Sequence, residues 1–183
     1  MKVYLVRHGQ CDSNVKQIYN YVNEDLNEKG IEQATELSKK INDIDYDVII
    51  SSPLIRAKHT AEIINVKNKE IICDERLRER EHGSLEGQSV EVTDREDYWN
   101  YYTDKKYGTE ESIPHLFARV KEFLDELSKK EYSSVLIVAH SGVSKAFYAY
   151  FNGIPEDGKF LNLGLKNTEV KEYNLELIKE KQL

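Results

Sequence analysis

Short apolar runs alternate along this chain with longer stretches of helical period. Val3-Tyr4-Leu5-Val6, Val48-Ile49-Ile50, Ile71-Ile72-Cys73 and Val135-Leu136-Ile137-Val138-Ala139 have the uninterrupted character of buried strands. Ile31, Ala34, Leu37, Ser38 and Ile41 recur at helical spacing and predict a helix from about Asn27 to Asn42. Ala57, Ala61 and Ile64 predict a second over Leu54 to Asn65, with Pro53 placed to open its first turn. Leu116, Val120, Phe123, Leu124 and Leu127 form the stripe of a third, capped by Ser112 and running to Lys129. A shorter helix is expected from Val143 to Phe151, and edge strands at Thr168 to Tyr173 and Leu175 to Ile178. Residues 11–25 read as a loop or short helix over the end of the first strand, 74–87 as a charged loop marked by glycines, and 89–111 as irregular helix. This alternation predicts an α/β fold of three layers, α/β/α, with a mostly parallel central sheet covered on both faces. With no repeat or linker, residues 1–183 are expected to form a single domain, and residues 88–112 a substrate-side insertion or lid.

Composition narrows the function. The net charge of -7 argues against non-specific binding to nucleic acid or to an anionic membrane, while leaving room for a local cationic pocket. No apolar stretch approaches the ~18 residues of a membrane span, and no signal segment is evident, so the cytoplasm is the expected location. Cys11 and Cys73 have no metal or redox spacing, and reduced thiols are expected. None of His8, His59, His82, His115 and His140 pairs at a metal-ligand spacing, so neither a metal site nor any cofactor is expected. Apolar tail segments near a sheet edge allow a homodimer as well as a monomer.

Three strands end in polar signals of one kind: Arg7-His8-Gly9, Ser51-Ser52-Pro53 with Arg56 just beyond, and His140-Ser141-Gly142. A parallel sheet gathers such ends on one edge, where α/β proteins place their ligands. Two arginines and two helix N-termini favour a phosphate group. A neutral imidazole is a competent nucleophile toward phosphorus, and the cations offset charge on the transferring oxygens.

These segments resemble the histidine phosphatase (phosphoglycerate mutase-like) superfamily, in its small bacterial-type phosphatase branch. The likeness is carried by Val6-Arg7-His8-Gly9, by Leu26 to Ala34, by Ser51 to Ala61 and by Val138 to Gly142. It implies a phosphohistidine on His8, with Arg7, Arg56 and His140 gripping the phosphoryl group of a small phosphorylated substrate. It further implies contacts from Gln10, Cys11, Asn14 and Ser141. Leu77 to Gly87 is similar to the family segment that carries the proton donor. Its register places the donor on Glu79, with Glu81 as the rival. The chemistry needs one carboxylic acid there, giving a proton to the leaving oxygen and then taking one from water.

Two departures bear on the reaction. Cys11 stands where the family usually has a hydroxyl, and a thiol is a weaker donor, although a backbone contact there would survive. The adjacent arginine pair of the mutase branch has no counterpart after Gly87. The reading is therefore a metal-independent phosphomonoesterase. A phosphoglycerate mutase and a non-catalytic phospho-ligand-binding module are the alternatives. Tyr98, Trp99, Tyr101 and Tyr102 read either as an aromatic lid or as helix-packing core. Glu91, Glu96, Asp97 and Asp104, if they face the pocket, disfavour a highly anionic substrate.

Overall fold

The computed structural model describes residues 1–176. Its strands are β1 (Lys2–Arg7), β2 (Val48–Ser51), β3 (Ile71–Cys73), β4 (Ser134–Ala139) and β5 (Val170–Asn174). Its helices are α1 (Asp12–Lys16), α2 (Glu28–Ile41), α3 (Ile55–Ile64), α4 (Arg95–Tyr98), α5 (Ile113–Leu127) and α6 (Ser141–Asn152). The strands form one sheet in the order β3-β2-β4-β1-β5. The first four are parallel, and β5 runs antiparallel along β1 at the edge.

The middle strand shows why the sheet has two covered faces. Every residue of β4 is buried. Val135, Ile137 and Ala139 join a core with Leu116, Val120 and Phe123 of α5 and Phe147 of α6. Leu136 and Val138 point the other way, into a core with Ala34, Leu37 and Ile41 of α2 and Ala57, Ala61 and Ile64 of α3. Burying each such aliphatic side chain contributes about 1.5–3 kcal/mol, so an uninterrupted apolar run is stable only between two helical layers.

Local chemistry sets the helix ends. Asn27 caps α2 by accepting from the Gly30 amide, and Ser112 caps α5 by accepting from that of His115. Four expectations are corrected. Ile31 is 40% exposed and lies off the inward stripe. Pro53 precedes the α3 cap residue Leu54 rather than opening the first turn. Strand β3 is an edge strand, with Ile72 and Cys73 exposed, because among the described residues only β2 pairs with it. Helix α6 begins at Ser141, so His140 is itself the cap residue. Leu175 and Glu176 lie beyond β5, and the rest of the second expected tail strand falls outside the described residues. Among the described residues no helix is long and apolar enough to cross a membrane.

Candidate active site

The parallel register brings the three strand ends together. Arg7 pairs with Ala139, and Ser51 with Val138. The ladder continues one step further, with His8 N–H donating to Ala139 O at 3.0 Å and Ser52 N–H to Val138 O at 2.9 Å. His8 and His140 are thereby fixed side by side, each 1% exposed, with ring centres 5.1 Å apart.

The neighbours of His8 define its tautomer. Its Nδ1 lies 2.7 Å from the carbonyl oxygen of Gly9. A carbonyl only accepts, so Nδ1 carries the proton and Nε2 keeps its lone pair. Burial, then the charges of Arg56 and Arg7, holds the His8 pKa well below its usual value, so the ring is neutral near pH 7. His140 is held neutral in the same way, by burial, Arg56, His8 and Arg7. Its Nε2 meets Ser52 Oγ at 2.7 Å, while its buried Nδ1 has no partner among the described residues.

Arg7 and Arg56 complete the group. Arg7 donates to Leu165 O at 2.9 Å, and Arg56, 2% exposed, donates to the carbonyls of Tyr21 and Val22 at 3.0 and 3.3 Å. Burial lowers the pKa of both guanidinium groups. Both Nε atoms are buried without a partner among the described residues. Cations with buried spare donors, and no acid paired to them among the described residues, define a place for an anion.

Glu79 supplies the carboxylate. It is 9% exposed, and its two oxygens accept from the amide of Gly142 at 2.9 and 3.2 Å. Glu81 is exposed, and its backbone is tied to Glu111 instead. The loop that carries both is anchored from behind. Arg119 donates to the carbonyls of Arg76 and Glu79 while holding Glu111 through two parallel bonds of 2.8 Å. Arg80 lies over the ring of Tyr98 at 4.1 Å and donates to Tyr98 O. A cleft of about 280 Å³ opens here, with Arg56, Arg78, Glu79, Glu81, His82 and Glu86 in its wall. Burial lowers the His82 pKa to about 4, and its Nδ1 meets Tyr98 OH at 2.9 Å.

The remaining expected residues divide. Asn14 uses its side-chain oxygen on the Cys11 amide and on Asn167, which leaves its NH₂ group for a ligand. Cys11 is buried, with Sγ 3.9 Å from His8 Nδ1, and burial pushes its thiol up to about 12, so it stays protonated. Gln10 is turned away: its amide donates to Gln33, and its side chain accepts from Asn27, both from the α2 segment. Ser141 Oγ accepts from Lys145 at 3.0 Å. Glu91, Glu96, Asp97 and Asp104 do not line the cleft; Asp97 pairs with Lys105, Glu96 with Lys159, and Asp104 accepts from the Ile113 amide. Tyr98 and Trp99 are buried in the core, whereas Tyr102 is 62% exposed.

Several supports had no reading in the sequence. Thr60 accepts from the Gly9 amide and donates to Arg56 O, joining the nucleophile loop to α3. Its place four residues after Arg56 is the signal. Asn167 donates to the carbonyl of His8 at 3.0 Å. Nothing local marks that residue, because its partner lies near the opposite end of the sequence. Gly9 and Gly30 pack back to back, and a Cβ on Gly30 would collide with the Gln10 backbone. The Leu26 to Ala34 motif therefore shapes the loop behind the nucleophile. Among the described residues, no three His, Cys, Asp or Glu side chains are grouped as a metal ion would need.

A neutral histidine with a bare ring nitrogen, set among unpaired cationic donors, is a phosphoryl-transfer arrangement. The chain belongs to the histidine phosphatase superfamily (branch 1), whose family model matches residues 3–180. It is 32% identical to phosphoserine phosphatase 1 of Hydrogenobacter thermophilus, over 96% of this chain and 87% of that protein. Its fold matches that of Bacillus stearothermophilus YhfR with a TM-score of 0.81 at 26% identity, covering 93% of this chain and 89% of the other. A mycobacterial glucosyl-3-phosphoglycerate phosphatase also gives a TM-score of 0.81, at 25% identity, covering 93% and 91% of the two chains.

Proposed function

We propose that this phosphatase hydrolyses small phosphomonoesters through a phosphohistidine on His8, without a metal ion. The observation that carries the reading is the His8 Nδ1 contact to Gly9 O, which leaves Nε2 bare beside the unpartnered donors of Arg7, Arg56 and His140. Nε2 forms the P–N bond as the ester P–O bond breaks, and Glu79 gives its proton to the departing alcohol oxygen. Water then attacks phosphorus and yields its proton to Glu79 as the P–N bond breaks. Arg7, Arg56, His140 Nδ1 and the NH₂ group of Asn14 hold the phosphoryl oxygens, stabilising charge that develops during transfer.

The cleft wall carries both signs of charge, with Arg56, Arg78 and Arg80 beside Glu79, Glu81 and Glu86. It suits a small monophosphate whose body bears both an anionic and a cationic group, more than a sugar bisphosphate. The likeness to a phosphoserine phosphatase supports the same class. Residues 88–112 act as the substrate-side segment, with Trp99 against Gly142. Cys11 and Cys73 are free thiols, as a reducing compartment maintains, which supports a cytoplasmic enzyme. The deciding experiment is turnover of an aryl phosphate in excess chelator, with mass-spectrometric trapping of the phosphoenzyme. Turnover persisting in chelator and phosphate carried on His8 are expected. Loss of turnover in chelator, or undiminished turnover by His8→Ala, overturns the mechanism.

A further inference from the structure

Lys145 is a buried amine with no carboxylate paired to it among the described residues. It is 3% exposed, on the second turn of α6. Its Nζ donates to Ser141 Oγ at 3.0 Å, one turn back on the same helix, and stands 4.4 Å from the ring centre of Trp99. Gly164 closes another side, since a side chain there would collide with Nζ and with Ser141 Oγ. An apolar residue would fill this place at lower cost than an ammonium lacking a counter-ion. The surroundings are those of the active site: Glu79 and the edge of Trp99 both meet Gly142, the residue after Ser141.

We propose that Lys145 is a positioning residue of the phosphoryl site, its ammonium seated on Trp99 and bonded to Ser141 so that the serine hydroxyl is presented as a donor to an anionic substrate. This rests on the phosphatase reading of the site. While Nζ is charged it can only donate, so Ser141 Oγ accepts and its own proton is left for another acceptor. Once neutral, Nζ can accept instead, and the Ser141 proton turns back onto the lysine. Burial, the main cause, brings the Lys145 pKa down to about 7. Glu79, on the loop after β3, opposes that fall, while Arg7 on β1, Arg95 on α4 and Arg80 add to it. A bound phosphate dianion holds the proton on Nζ by linkage, so substrate and charged lysine go together.

The test compares the pH dependence of KM for an aryl phosphate in the wild type, Lys145→Arg and Lys145→Met. Calorimetric binding of inorganic phosphate to each protein is the second readout. The wild-type KM is expected to rise as pH passes above about 7. Lys145→Met is expected to have a KM raised about tenfold at neutral pH, with no further rise above it. Lys145→Arg, whose guanidinium stays charged, should keep the low KM and lose the alkaline rise. A wild-type KM in Lys145→Met, or an alkaline rise at the wild-type pH in either variant, overturns the proposal. Should the methionine variant fail to fold, the arginine comparison decides alone. Failure of the phosphatase reading shows separately, as undiminished turnover by His8→Ala. The lysine can still be judged then, from phosphate binding.

Discussion

The backbone amide of Gly142 donates to both carboxylate oxygens of Glu79, at 2.9 and 3.2 Å. The acid is thereby clamped to the first turn of the helix that follows His140. The same contact sets the acid beside the phosphoryl pocket. Proton transfer and phosphate binding are thus positioned by one short stretch of backbone.

Replacing Glu79 by glutamine keeps an oxygen for the Gly142 amide but removes the transferable proton. With an alkyl phosphate, kcat is expected to fall by about 10²–10⁴-fold. With an aryl phosphate, whose leaving group needs little protonation, the first step should be far less affected. Glu81→Gln, altering an exposed side chain, should stay within about twofold of the wild type. Steady-state rates on the two ester types measure this, and the opposite ordering of the variants transfers the role to Glu81.

Three imidazoles make stability depend on pH. His8, His82 and His140 all have folded-state pKa values below their ordinary one, with burial as the first cause. Below about pH 6.5 the unfolded chain binds protons that the folded chain refuses, so stability falls as pH drops. Each group contributes at most about 1.4 kcal/mol per pH unit, until the folded form also takes up the proton. Urea midpoints should therefore decline steadily from neutral pH toward about pH 5. A midpoint constant across that interval contradicts the neutral state of these rings.

The two thiols should behave differently. Cys11 is buried and its thiol is pushed up to about 12, whereas Cys73 lies exposed on the edge strand. An alkylating reagent near pH 8 is expected to modify Cys73 alone in the folded protein, and both thiols after denaturation. Mass spectrometry counts the adducts, and turnover should survive the first. Rapid labelling of Cys11 in the folded state would show that the nucleophile loop opens.

Gly30→Ala tests the loop support. The added methyl would meet the backbone of Gln10, which has no flexible end to yield. A loss of about 1–3 kcal/mol in stability is expected, together with a fall in kcat/KM larger than that of a surface change on α2, such as Glu32→Ala. Thermal melts and kinetics on the two variants separate a local collapse of the loop from a general weakening of the helix.

Much of this architecture is legible from residue order, for physical reasons. Val135 to Ala139 has no polar face, so it requires two covering layers, and the motifs at three strand ends are gathered by parallel pairing. The choice between Glu79 and Glu81 is less legible. Their loop has no periodicity, and the orientation is set by Arg80 and Arg119, which donate to carbonyls distant in the sequence, Arg119 also holding Glu111. The α2 motif is visible as a pattern, yet its role needs the close approach of Gly30 to Gln10. Lys145 is the one charged residue of α6, and spacing alone does not distinguish it from a residue reaching solvent.

The carbonyl of His8 is held by Asn167, 159 positions away, and Arg7 by Leu165, 158 positions away. During synthesis, the segment bearing the nucleophile emerges well before these partners and must wait for them. Contacts of such separation close late and slowly. A nascent chain that already contains His8, Arg56, Glu79 and His140 therefore still lacks the strap that sets the nucleophile's backbone. Catalytic competence should appear only after residues 165–168 have left the ribosome and docked, as a final step of folding.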